Sequence, residues 1–167
     1  MSLVRKLRDW WRDIPEDVPL DYSQITNNLY IGAWPTKHDV DAIKALGVTL
    51  VISTILEQVD KELGEPPLKL LKLRMTDAFY WPLYPTGTLE RGVETALAAF
   101  EKGQTVMTFC KSGRHRSATL SSCILVAQGY TTDQAVQIVE EKRPEADINP
   151  RLHQRIKKFE QYWLKHH

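Results

Sequence analysis

The run Cys110-Lys111-Ser112-Gly113-Arg114-His115-Arg116 puts a thiol at one end of a short segment and a guanidinium at the other. It follows the largely apolar Val106-Met107-Thr108-Phe109 and leads into a helix-like stretch from Ser117, so the pattern reads strand, tight loop, helix. In such a turn successive backbone N–H groups converge on one point at the positive end of the following helix. That point fits a phosphate-sized dianion. A thiol placed there loses its proton easily, because the same N–H groups and the helix dipole stabilise the thiolate. Arg116 can add a bidentate fork to phosphoryl oxygens. Nucleophile and oxyanion cradle then come from one segment, and the chemistry this suggests is phosphoryl transfer through a cysteine.

Cys110, Gly113, Arg116 and Ser117, with the Ser-Ala-Thr of 117–119, resemble the signature loop of the cysteine-dependent protein tyrosine and dual-specificity phosphatases, written His-Cys-(x)5-Arg-Ser/Thr. The internal glycine, the trailing hydroxyl and the strand–loop–helix context make the match specific. The resemblance runs further. Ile25 through Leu29-Tyr30-Ile31-Gly32 looks like the opening of a dual-specificity phosphatase domain, and residues 22–163 read as one such domain. Cys-Lys-x-Gly-Arg-x-Arg-Ser-Ala-Thr, and the later Arg143-Pro144 through Ile148-Asn149-Pro150, are similar to the compact lipid-phosphate group, the phosphatidylglycerophosphate phosphatase-like type. One position departs. Phe109 stands where the family carries the His that hydrogen-bonds around the loop and helps hold the thiolate pKa low, and Phe can donate no such bond. A higher Cys110 pKa and a slower enzyme are the expectation; the alternative is a phospho-binding pseudophosphatase.

The leaving alkoxide needs a proton from a separate loop, and the family keeps an aspartate for this about thirty residues upstream of the cysteine. Asp77 stands 33 positions before Cys110, after the strand-like stretch 68–73 and before Phe79-Tyr80-Trp81-Pro82. Those aromatics could exclude water and raise the acid's pKa, or could equally be core. The resemblance thus implies Cys110 as nucleophile, Arg116 as oxyanion partner, Asp77 as general acid and then base, and Ser117 easing departure of the thiolate. No metal or other cofactor is implied. The five His form no ligand cluster in the sequence, and the two Cys make no C-x2-C pair.

Lys111, Ser112, Gly113, Arg114 and His115 would line the substrate phosphate. In the phosphoinositide-directed branch, basic residues at the first and fourth positions after the cysteine face additional phosphates, and Lys111 and Arg114 hold those positions. They could instead point to solvent or brace neighbouring carboxylates. Phospholipid or inositol phosphate therefore stands beside phosphotyrosine and phosphothreonine proteins as the expected substrate. A sulfur-transfer or arsenate-reducing enzyme is a rival reading of C-x5-R. It needs no Asp77, and the arsenate reductase wants redox cysteines beyond the single Cys123.

The chain must hold these groups in place. At 167 residues, 43% hydrophobic and 26% charged, it suits one globular domain with a real core. A net charge of +1 lacks the footprint of a nucleic-acid binder. Two cysteines suit a reducing compartment, with a cytoplasmic setting expected; no run approaches membrane-spanning length and no signal pattern opens the chain. Strands are expected near 25 and 29–31, at 48–53, 68–73 and 105–109. Helices are expected around Val40, Ile43 and Leu46 with Gly47 as stop, from a Thr88 cap through Phe100 with Gly103 beyond, over 117–128, over 132–141, and after Asn149-Pro150. This alternation predicts an α/β fold, a central mainly parallel sheet flanked by helices, with the loop at the carboxyl end of a central strand. Residues 22–167 would form the catalytic domain, preceded by a basic, Trp-containing amphipathic segment over 1–21. Within it, residues 3–14 could lie on an anionic membrane surface or fold back on the domain.

Overall fold

The computed structural model describes residues 18–76 and 84–167. Five strands form one sheet: β1 (Tyr22–Thr26), β2 (Leu29–Ala33), β3 (Val48–Ser53), β4 (Lys69–Lys72) and β5 (Thr105–Cys110). Their spatial order is β1-β2-β5-β3-β4; β1 and β2 run antiparallel and every other pair is parallel. β5 is therefore the central strand, with β2 and β3 on either side. This is the mainly parallel sheet expected from the alternation of elements.

Period-two alternation sorts the sheet's side chains into two cores. Leu29, Ile31, Leu50, Ile52 and Val106 point into the larger one. It is completed by the helices α2 (Thr86–Glu101), α3 (Arg116–Ala127), α4 (Thr132–Lys142) and α5 (Pro150–His166). Tyr30, Val51, Met107 and Phe109 point the other way, where Val40 and Ile43 of the short α1 (Val40–Ala45) cover them. Both faces of the central strands are thus dry, and their sequences read as near-continuous apolar runs for that reason.

The caps follow local chemistry. Thr131 and Gln134 close a reciprocal capping box at the start of α4. Asn149 Oδ1 accepts the Arg151 and Leu152 amides, with Pro150 at the first helical position of α5. The start of α2 differs from expectation. Thr88 does not cap it; the helix begins at Thr86 after Pro85. Arg155 of α5 explains the earlier start, because its guanidinium donates to the Tyr84 carbonyl at 2.7 Å and to the Thr86 hydroxyl at 2.9 Å. That anchor spans most of the domain and leaves no trace in local spacing.

α3 has no polar stripe. Arg116 through Val126 are all buried, because the helix lies between the sheet and α2, α4 and α5. Small hydroxyl residues suit so crowded a place when they bond locally. Ser122 Oγ donates to the Ala118 carbonyl at 2.9 Å, and Ser121 Oγ shares a 2.8 Å hydrogen bond with Thr108 on β5. The second bond stitches the helix to the strand that delivers Cys110.

Candidate active site

Cys110 is the last residue of β5 and Arg116 the first of α3, so residues 111–115 turn the chain from sheet to helix in five steps. The turn needs a left-handed residue, and Gly113 supplies it at φ +66°. A second constraint acts at the same position. A Cβ on Gly113 would collide with the Arg143 guanidinium, its Cζ being only 2.7 Å from where that Cβ would sit.

The Cys110 thiol is 2% exposed. Burial pushes it up. The Ser117 hydroxyl, the Ser117 amide, the Arg116 charge and the His115 amide oppose that and prevail, so it lies below the ordinary thiol value. The Ser117 Oγ–Sγ distance is 3.2 Å. Cys123 shows the contrast: equally buried on α3 but without these donors, its thiol is pushed far up. The thiol is lowered although Phe109 stands where the family carries its His, through the Ser117 hydroxyl and amide, the Arg116 charge and the His115 amide.

Arg116 is 4% exposed and donates to the Met75 carbonyl at 3.3 Å. Met75 follows β4 by three residues and precedes Asp77 by two in the sequence. Asp77 itself and the aromatics at 79–81 lie outside the described residues, as does the whole segment 3–14.

The other loop residues meet acidic neighbours. Lys111 Nζ lies 2.8 Å from Glu57 Oε1, on the segment after β3. Burial raises the Glu57 carboxyl, but the Lys111 hydrogen bond, its own amide and the charges of Lys111 and Arg116 hold it below the usual carboxylate range. Arg114 lies 3.7 Å and His115 3.3 Å from Asp147 Oδ2, while the Asp147 amide donates to the Arg114 carbonyl. Both basic positions singled out for extra phosphates therefore have carboxylate partners here, at side-chain exposures of 41% and 36%. Exposed pairs of this kind hold weakly and can exchange partners.

Arg143 and Asp21 were not singled out as site residues by sequence reasoning. Arg143 is fully buried beneath the loop; Nε donates to the Gly113 carbonyl at 2.8 Å and Nη2 to the Ser112 carbonyl at 3.0 Å. Its charge is met by Asp21 at 3.3 Å. Two of the loop's carbonyls are thereby occupied from below. The Arg143-Pro144 pair was visible only as a family likeness, and Asp21, 122 positions away in the chain, had no signal at all. Among the described residues His167 lies with Glu90 and Glu94, their possible metal-ligating atoms within 4.8 Å of one another, a grouping that includes no residue of the loop.

Comparison with known proteins agrees with this geometry. The family model described as the dual specificity phosphatase catalytic domain matches residues 29–162. Mouse dual specificity phosphatase 28 is 26% identical over 151 residues, covering 87% of this chain and 88% of its own length. Rat phosphatidylglycerophosphatase and protein-tyrosine phosphatase 1 is 32% identical over 101 residues, 59% of this chain and 49% of that protein. A crystal structure of PTPMT1 in complex with PI(5)P superposes with a TM-score of 0.76 at 25% identity, covering 86% of this chain and 97% of the other. Strand, loop and helix stand where such an enzyme needs them, and the chain belongs to the dual-specificity phosphatase catalytic-domain family, as a cysteine-dependent phosphatase.

Proposed function

We propose that the chain hydrolyses phosphomonoesters through a cysteinyl-phosphate at Cys110. The observation that carries this reading is the thiol seated within hydrogen-bond reach of Ser117 and lowered below the ordinary thiol value despite its burial. The thiolate attacks phosphorus in line, and the loop amides of residues 111–115 with Arg116 stabilise the equatorial oxygens. Asp77 gives its proton to the departing alkoxide, then takes one from the water that cleaves the phosphorus–sulfur bond. Ser117 donates to the sulfur as it leaves, which restores the thiolate. These residue roles rest on the motif, its spacing and the geometry around Cys110. A binding-only role for the Phe109 loop is not favoured, because the thiol is lowered without the His.

For substrate, the family acts on phosphorylated proteins or lipids, and we place a phospholipid or inositol phosphate first. The likeness to a phosphatidylglycerophosphatase and to a structure holding PI(5)P supports this, as do Lys111 and Arg114 at the rim. Their pairs with Glu57 and Asp147 are exposed enough to open for a headgroup. Phosphotyrosine and phosphothreonine peptides remain the companion reading, supported by the likeness to dual specificity phosphatase 28.

The test compares turnover of an aryl phosphate, a phosphotyrosine peptide and a phosphatidylinositol monophosphate in mixed micelles, by wild type, Cys110→Ser and Asp77→Ala. Turnover lost in Cys110→Ser, with a vanished basic limb in Asp77→Ala, is the expected result. In Lys111→Ala and Arg114→Ala the lipid rate should fall several-fold more than the aryl phosphate rate. Equal losses on both substrates would remove the headgroup assignment.

A further inference from the structure

A closed chain of hydrogen bonds links the nucleophile's strand, the root of the Asp77 loop and Arg116, and Thr54 is its middle member. Thr54 follows the last residue of β3 and is fully buried. The Phe109 carbonyl, which belongs to the peptide entering Cys110, accepts the Thr54 amide at 3.0 Å and the Thr54 hydroxyl at 2.8 Å. The amide bond extends the parallel β3–β5 ladder; the hydroxyl bond is extra. From Thr54 the chain of bonds continues, since its carbonyl accepts the Met75 amide at 3.1 Å and the Met75 carbonyl accepts Arg116.

A second observation concerns what Phe109 leaves undone. Ser53 and Phe109 are register partners, so their side chains share a face of the sheet. Ser53 Oγ is buried there with no hydrogen-bond partner among the described residues. A ring N–H at position 109 would lie beside that hydroxyl, whereas the phenyl ring leaves it orphaned. The peptide before the nucleophile is instead secured at its carbonyl, by Thr54.

We propose that Thr54 is a positioning residue for this reaction: its hydroxyl, acting through the Phe109 carbonyl, fixes and polarises the peptide that delivers Cys110 and so does part of the bracing that Phe109 cannot. A second donor on that oxygen holds the peptide in one orientation and draws its negative charge toward Thr54 and away from the residue that follows. The bond lies in a dry interior, where such polarisation is strongest. The proposal rests on Cys110 being the nucleophile. Other charged groups around the loop are Arg116 on α3, Lys111, Arg114 and His115 within it, Glu57 and Asp147 on flanking segments, and Arg143 with Asp21 beneath. All of them stay unchanged in the variants that test it.

The experiment is the pH dependence of Cys110 alkylation by iodoacetamide, read alongside the pH–rate profile for an aryl phosphate. Cys123 stays silent because its thiol, without the donors that Cys110 has, is pushed far up and holds its proton. Thr54→Val keeps shape and amide but loses the donor, and its alkylation midpoint should rise by about half a pH unit. Its kcat should fall about threefold with KM unchanged. Thr54→Ser, which keeps the donor, should match wild type. If Thr54→Val fails to fold, Thr54→Ala supplies the same comparison against Thr54→Ser. An unmoved midpoint without the hydroxyl overturns the proposal. So does an equal shift in Thr54→Ser, which keeps the hydroxyl and would show that the effect does not come from its donor. Alkylation needs no turnover, so an inactive wild type would count against the phosphatase reading while leaving this test intact.

Discussion

Cys110 sits between opposing influences, and Ser117 decides much of the balance. Burial disfavours the thiolate, while the Ser117 hydroxyl and amide, Arg116 and the His115 amide favour it and prevail. With the thiol's value lowered, the reactive anion accumulates as pH rises through that value, at lower pH than for an ordinary thiol. Removing a donor must therefore move the rising limb of the rate profile to higher pH. A hydrogen bond to a charged group contributes roughly 1.5–3 kcal/mol, which corresponds to about tenfold or more in rate. Ser117→Ala should accordingly lose at least about tenfold in kcat/KM on the acid side and less above the limb. It should also show a slower second step, because the sulfur leaves without its donor. A pH–rate profile with burst kinetics on an aryl phosphate checks both, and a limb that does not move would deny Ser117 its contact with the thiolate.

At the level of elements, the loop keeps its shape because α4 ends in a buried arginine beneath it. Arg143 occupies the Ser112 and Gly113 carbonyls, and Asp21, next to β1, answers its charge. Gly113→Ala would place a methyl into that guanidinium as well as into a left-handed backbone. The expected result is a folded protein with phosphate or vanadate affinity reduced by at least about tenfold; unaltered affinity, measured by calorimetry, would show that Arg143 does not shape the cradle. Asp21→Asn leaves Arg143 buried with a neutral partner. Loss of one member of a fully buried pair costs about 3–5 kcal/mol; since Asp21 keeps some water, roughly 1–3 kcal/mol is expected, read as a lower urea midpoint. A midpoint equal to wild type would mean the neutral amide serves as well. These contacts also show what sequence can reveal. Cys110, Gly113, Arg116 and Ser117 were legible because the chemistry is contiguous and its strand and helix follow at once. The Arg143 brace, the Thr54 bond and the Arg155 anchor of α2 were not. Each joins residues distant in the chain, and neither period nor spacing records a hydrogen bond across the fold.

Over the whole molecule the same helix serves stability and catalysis, because α3 is the hub on which α2, α4, α5 and the sheet all pack. Its first turn carries Arg116 and Ser117, and one turn later Leu120 meets α2 at Gly92. A Cβ at Gly92 would lie 2.7 Å from Leu73 Cδ1 and 2.8 Å from Leu120 Cδ1. Leu73 leads from β4 toward Met75, whose carbonyl accepts Arg116, so the missing side chain lets α2 approach both that segment and α3 at once. Gly92→Ala sets two effects against each other. Alanine favours a helix by about 1 kcal/mol over glycine, while overpacking a dry core costs roughly 1–3 kcal/mol. The contacts fall on two sides of the new methyl, which leaves the leucines little room to yield together, so overpacking should win. The expected outcome is a net loss of up to about 2 kcal/mol in urea unfolding together with a kcat reduced several-fold at unchanged alkylation midpoint of Cys110. Such a pattern would place the disturbance in the approach of the acid loop and leave the nucleophile intact. A more stable protein with wild-type kcat would show that the two leucines give way independently, and that α2 does not hold the two halves of the site together.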